Sequence, residues 1–326
     1  MPEPLSADAL LDRIASDKPV VFVIGSAVVA SHGGIPGVPT AEEMVALARD
    51  TLTAAPWRRR KRLLEGFDAA LADAPHRYAA AFRYLIDRRG PDAANAVVQA
   101  AVEQARAAPI GDIERAHLET SSWHLPAAVR ALGAYIAGDR PHPVTVVTTN
   151  FDPLIEVAIR RAGGRCSTQV LPVDGDLQPN GSDGVPVIHL HGWWHGSQTL
   201  HTAQQLAEHR PHLHQSLQRL FRGALVVVLG YGGGDDVIVR ALRDTAADAQ
   251  ARCDVLWAVP STDAGPHATL LDAFATERAR LVLNVDVHRL LPQLAQEGAP
   301  LPFIDPDVLV GRYNVCTTST SRLRPS

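Results

Sequence analysis

Cysteine is scarce: the 326-residue chain carries three, Cys166, Cys253 and Cys316, far apart and in no C-x-x-C pair. That spacing excludes a disulfide framework and a four-cysteine zinc module, and it suits a reducing compartment. No apolar run approaches the roughly 18 residues of a membrane span, and the opening MPEPLSADALLDRIASDKP has no signal-peptide core. A cytoplasmic protein without a membrane partner is expected. A basic excess is also lacking: the formal net charge is −4 and the isoelectric point about 6.4, so nucleic acid is not indicated as the main partner. With 46% hydrophobic and 20% charged residues, the chain can build one large α/β domain, or a domain plus an insertion.

Residues 6–16 read as a helix capped by Ser6 and leading into the first strand. Apolar runs at 19–25, 144–149, 224–230 and 255–260, with shorter ones at 186–192 and 280–286, have the continuous character of strands covered on both faces. Each adjoins helical sequence, for example 153–162 and 236–249. The expected fold is therefore α/β, a doubly wound and mostly parallel sheet of Rossmann-like type, with ligands at the carboxyl ends of the strands. Residues 1–40 and 139–297 would form this core. Residues 41–138, rich in alanine, arginine and leucine at helical spacing, would be a helical insertion acting as a lid or wall. The cluster Arg58 to Arg62 on it is read as a solvated helix face, with a partner contact as the alternative. Residues 298–326, with proline, serine and threonine, suggest an extended tail or linker.

Four segments sit where chemistry would be placed. The small-residue loop from Gly25 to Gly37 follows the first strand and precedes a helix near Thr40; it is either a phosphate cradle or a tight structural turn. Thr148-Thr149-Asn150-Phe151-Asp152 ends a strand, where Asp152 before Pro153 is either a ligand-facing group or a helix cap. His189 and His191 alternate along a strand candidate. A histidine there serves as general base, as partner to sugar hydroxyls or as a satisfied core residue; with His195, His201, His209, His212 and His214 downstream, a metal site is the competing reading. Last comes Gly230-Tyr231-Gly232-Gly233-Gly234-Asp235-Asp236, a flexible turn in which Asp235 or Asp236 caps the next helix. Trp193 and Trp194 would wall a pocket or pack in the core.

In this order the segments resemble the sirtuin family. Gly25, Ala27 and Gly34-Ile35-Pro36 match its opening loop; Thr148, Asn150 and Asp152 match its T-x-N-x-D turn; His191-Gly192 matches its His-Gly element; Gly230 to Asp236 is a looser counterpart of its later glycine turn; and residues 285–294 resemble its closing strand and helix. The likeness spans about residues 18–297. The chain departs from the family's deacylases in lacking the zinc cysteines, in having Gly37-Val38-Pro39 after the G-I-P element, and in a first loop with Ser26-Ala27. The form T-T-N-F-D-x-L-I-E from Thr148 to Glu156, followed by H-L-H-G from His189 to Gly192, looks closest to the sirtuin-like NAD hydrolases of bacterial anti-phage defence.

That resemblance implies NAD as substrate, no zinc, and cleavage of the nicotinamide–ribose bond to deplete cellular NAD. It makes Asn150 and His191 the catalytic candidates, orienting the ribose or water and accepting a proton. Asp152 would meet the nicotinamide carboxamide, while Gly25, Ser26, Ala27, Thr148, Thr149, Gly192, Gly230, Tyr231, Gly232 and Asp235 would line the nucleotide path. A homo-oligomer, or an attached or partner sensor, would gate it. NAD-dependent deacylation, ADP-ribosyl transfer and a non-catalytic NAD or ADP-ribose sensor are the alternatives.

Overall fold

The computed structural model describes residues 4–15, 18–109, 111–140, 142–178, 184–234, 236–263, 274 and 277–297. Among them seven strands form one sheet: β1 (Val20–Ile24), β2 (Val144–Thr148), β3 (Cys166–Val170), β4 (Val185–His189), β5 (Leu225–Leu229), β6 (Asp254–Ala258) and β7 (Ala279–Val282). Their order is β3-β4-β2-β1-β5-β6-β7, and every neighbouring pair is parallel. The Rossmann-like α/β fold expected from the sequence is thus realised with wholly parallel pairing.

The central strand shows why. All five residues of β1 are buried, and successive side chains point to opposite faces. Val20, Phe22 and Ile24 enter one core while Val21 and Val23 enter another, so each face requires its own helical cover. One layer holds α1 (Ala7–Ile14), α6 (Ala127–Ala137), α7 (Leu154–Arg161) and α11 (Val287–Glu297); the other holds α9 (Pro211–Phe221) and α10 (Val237–Ala247). β3 was not expected: its sequence, Cys-Ser-Thr-Gln-Val, is polar in the middle. It survives as the sheet edge, where only Cys166 is buried and β4 is the one strand paired with it among the described residues.

Between β1 and β2 the chain makes α2 (Ala41–Thr53), α3 (Trp57–Ala72), α4 (Arg77–Arg89) and α5 (Pro91–Glu103) before α6, with no named strand among the described residues. α2 starts where Thr40 and Glu43 cap each other, the Thr40 N–H donating to the Glu43 carboxylate at 2.7 Å. The apolar faces of these helices, including Leu52, Phe67, Phe82 and Val98, join the same core cluster as Phe22 and Ile24. In the basic cluster, the Arg60 Nε donates to the Ala55 carbonyl at 3.2 Å and Lys61 pairs with Glu65 at 3.7 Å; Arg58, Arg59 and Arg62 are at the surface. The tail expected at 298–326 lies outside the described residues.

β1 leaves toward β2 on one side, and β5 joins it on the other. This is a topological switch point, where the connections diverge and leave a crevice above the strand ends. A short cap, α8 (Ala203–Ala207), and the loops after β1, β2, β4 and β5 surround it.

The covering layer is tightly packed. A Cβ on Gly133 of α6 would lie 2.4 Å from the Ala158 carbonyl carbon of α7. Gly133→Ala is expected to destabilise the protein by about 1–3 kcal/mol through overpacking. Urea denaturation would show it, and an unchanged midpoint would contradict the close helix contact.

Candidate active site

A cavity of about 470 Å³ opens at the carboxyl ends of β1, β2 and β5, within the range of roughly 300–1,000 Å³ usual for ligand pockets. Its floor is polar: Ser26 from the β1 loop, Thr149, Asn150 and Asp152 from the β2 loop, His191 from the β4 loop, and Gly230 to Gly234 with Asp236 from the β5 loop. Its roof is mostly apolar, with Met44, Tyr78, Val98, Ala101 and Val102 from the helical segment and Leu200 and Leu206 from the chain after His191. Among the described residues no lysine or arginine lines it.

Asn150 is held from three directions. Its Nδ2 donates to the Gly25 carbonyl at 3.3 Å, its backbone N–H donates to the Thr148 hydroxyl at 3.0 Å, and its carbonyl accepts from His189 Nδ1 at 2.8 Å. Behind it His189 Nε2 meets the Glu156 carboxylate at 2.9 Å, and both side chains are wholly buried. Burial opposes charge on each, but their attraction and mutual hydrogen bond hold Glu156 below and His189 above its ordinary pKa. The Thr168 hydroxyl on β3 also donates to Glu156, at 3.0 Å, so the unexpected edge strand supports this pair.

His191 is on the neighbouring loop, tied to the Asn150 loop by Leu190 N–H donating to the Thr148 carbonyl at 3.0 Å and Trp194 N–H to the Phe151 carbonyl at 3.0 Å. Its Nε2 is 3.5 Å from Asp236 Oδ2. That same oxygen accepts from the Tyr231 hydroxyl, while Oδ1 caps α10 by accepting from Ile238 and Val239 N–H at 3.0 and 3.1 Å. Burial pushes the Asp236 carboxyl up, but His191, Tyr231 and the capped amides together hold it below the ordinary range. Asp152 accepts from Leu154 N–H at 3.0 Å, and burial, which outweighs that bond and the nearby His189, raises its pKa to about 6.

His201 closes the wall toward the helices. Its ring stacks on Phe82 with centroids 4.2 Å apart and contacts the Tyr78 hydroxyl through Nδ1 and the Thr199 hydroxyl through Nε2, both at 2.7 Å. Thr199 donates onward to Asn95 Oδ1 at 2.6 Å, so Thr199 accepts from Nε2–H and Nδ1 accepts from Tyr78. Burial lowers the His201 pKa to about 3, leaving a neutral ring.

Of the residues expected from sequence, Ser26, Thr149, Asn150, Asp152, His191, Gly230, Tyr231 and Gly232 line this one cavity. Four others stand behind it. Thr148 is fully buried and donates its hydroxyl to the Ile24 carbonyl at 2.9 Å, so it braces the loop instead of meeting a ligand. Gly192, at φ 106°, makes a turn where a Cβ would lie 2.1 Å from the Gln198 carbonyl oxygen. Gly25 and Ala27 carry the first loop past Gly230, and a Cβ on Gly25 would come 2.3 Å from the Gly230 carbonyl oxygen. Asp235 lies outside the described residues. Trp193 packs edge-on against His189 and Trp194 against Trp123, with centroids 4.7 and 5.8 Å apart, so both are packing groups.

The functional groups given no such role from sequence are Asp236, considered there as a cap, Glu156, Tyr78, and His201, named there only among the histidines of the metal reading. The cap signal marked Asp236, and Glu156 closes the segment that begins at Thr148 without a role of its own being assigned; nothing local marked Tyr78. For the metal reading, His189 turns to Glu156 and His191 to Asp236. Among the described residues no three His, Cys, Asp or Glu side chains are grouped to hold a metal ion, nor is any helix long and apolar enough to cross a membrane.

The polar loops after β2, β4 and β5, carrying Asn150, His191 and Asp236, fall in the part of the chain that has a known counterpart. Residues 144–281 match the family model described as the SIR2-like domain. This supports a sirtuin-like family and an NAD-related function in general. The SIR2-like match runs from the first residue of β2 into β7; β1 and the helical segment precede it. No curated protein matches the chain. Among solved structures, a cytosolic 5′-nucleotidase IIIB bound to cytidine is similar at 12% identity over 90% of each chain, with a TM-score of 0.29.

The buried pair behind Asn150 has a calculable pH signature. Glu156, lowered, contributes stability above its ordinary 4.5 that is lost as pH falls through its depressed value. His189, raised, contributes stability below its ordinary 6.5 that is lost as pH rises through its elevated value. The pair therefore contributes fully between those two values. Glu156→Ala is expected to cost about 3–5 kcal/mol at pH 6, since it strands a buried charge, and to flatten the stability–pH curve. Denaturation midpoints across pH check this; a loss below about 1 kcal/mol would show that the pair is not charged.

Proposed function

We propose that this chain hydrolyses the nicotinamide–ribose bond of NAD, giving nicotinamide and ADP-ribose. The observation that carries the reading is that Asn150 and His191, on loops after two adjacent strands, line one cavity at the switch point of the sheet. The SIR2-like match over residues 144–281 supports the NAD part of it.

Hydrolysis breaks the C–N bond with its electron pair leaving on nicotinamide, so positive charge develops on the ribose before water adds. The site has parts for each need. Asn150, fixed through Nδ2 and its backbone, keeps Oδ1 for a ribose hydroxyl or the incoming water. His191 accepts the proton that water releases. Asp152, with a pKa near 6, holds either protonation state close to neutrality and meets the carboxamide. Among the described residues no cationic side chain lines the cavity to pair with the diphosphate; the glycine run Gly230 to Gly234 and the turn at Ser26 offer main-chain amides instead. The helical roof keeps bulk water from the reacting sugar. Depletion of NAD in anti-phage defence, gated by assembly or by a sensor, is the role we assign to this activity.

Incubating pure protein with NAD and separating the products by chromatography should give nicotinamide and ADP-ribose in equal amounts. Asn150→Ala and His191→Ala should each lower kcat by about 100- to 10,000-fold with circular dichroism unchanged. No nicotinamide release in any assembly state would overturn the proposal, and ADP-ribose recovered on an acceptor would replace hydrolysis with transfer.

A further inference from the structure

A histidine serves as general base only if the nitrogen facing the reaction lacks its proton. In a neutral ring that is decided by what the other nitrogen does. For His191 the neighbour is unambiguous. Its Nε2 is buried and makes no hydrogen bond among the described residues, and the carboxylate oxygen facing it is Asp236 Oδ2, at 3.5 Å. Asp236 is 1% exposed and is itself immobilised: Oδ1 accepts from two backbone N–H groups at the start of α10, and Oδ2 accepts from Tyr231. The residue can present only an acceptor to His191, because Oδ1 is committed to the helix and Oδ2 faces the ring.

We propose that Asp236 is the positioning residue of the base: it takes the Nε2–H of His191, fixes that tautomer and leaves Nδ1 as the atom that receives the proton. The proposal rests on the reading of His191 as the base in NAD hydrolysis. In the step, the C–N pair departs with nicotinamide and the water's oxygen then bonds to the positively charged ribose carbon. One water proton passes to Nδ1, and the resulting imidazolium shares its charge with the adjacent carboxylate. The Tyr231 hydroxyl donates to the same oxygen and holds it toward the ring. The helix cap and the base are thereby one residue, so α10 sets the orientation of a side chain on a different loop.

Asp236→Asn separates this role from folding. The amide oxygen can keep both α10 N–H groups, which places the NH₂ where Oδ2 stood. A donor there meets the Nε2 lone pair and forces the proton onto Nδ1, the inactive tautomer. An equivalent change in a serine-protease triad costs about 10,000-fold in kcat with the geometry intact. We expect kcat for NAD to fall by about 100- to 10,000-fold with KM within about threefold.

The test with no dependence on turnover is nitrogen-15 NMR of histidine-labelled protein at neutral pH, the His191 signals being assigned by their loss in His191→Gln. Wild type should show Nε2–H, and Asp236→Asn should show Nδ1–H. An Nδ1–H ring in wild type overturns the proposal without any variant, as does an Asp236→Asn protein that keeps both the Nε2–H tautomer and its turnover. If wild type shows Nε2–H and the variant switches it, but neither releases nicotinamide, the pairing stands and the hydrolase reading alone fails.

Discussion

Everything at the site depends on how closely the β1 and β5 loops approach above the centre of the sheet. Gly25 N–H donates to the Leu229 carbonyl at 3.0 Å, and the space a side chain on Gly25 would need is filled by the Gly230 carbonyl, 2.3 Å from an ideal Cβ. Because these backbones touch, Gly25 can offer its carbonyl to Asn150, and Gly230, at φ 65°, can turn Tyr231 and the following glycines into the cavity. A bulkier residue at the first position would push the loops apart and release the amide that the site positions most carefully.

Around that contact the protein keeps its buried ionisable groups in different states, and hydrogen bonding decides which. Glu156 and His189 share a charge pair because each gives the other a partner. His201, comparably buried, has only hydroxyl partners and stays neutral. Asp236, with His191, Tyr231 and two capped amides in reach, is held below the ordinary range, whereas Asp152, with main-chain amides alone as donors, sits near pKa 6. Burial is common to all five; what separates them is how many donors or charges replace the lost water.

The helical segment between β1 and β2 contributes to this chemistry through its apolar side. Val98, Ala101 and Val102 roof the cavity, and Tyr78 meets the Nδ1 of His201. Such residues carry no local signal: a tyrosine on an alanine-rich helix has the same spacing whether it meets a histidine or another helix. The same blindness covers Glu156, which in sequence is an acidic residue in the first turn of α7 and in the fold is fully buried against His189.

What the chain by itself determined was the layered α/β plan, since strands buried on both faces must be apolar at every position, as in Val20–Ile24 and Leu225–Leu229. It also marked the loops after those strands, because glycines, Asn150 and His191 stand where a strand must turn. Only tertiary packing decided which of these polar groups meet a ligand and which brace the loops. Thr148 and Thr149 are adjacent and chemically alike, yet one bonds back to β1 and the other lines the cavity. The reason is geometric: alternation along a strand is local, whereas the partner of a hydroxyl, a carboxylate or an imidazole is supplied by a loop from elsewhere in the chain.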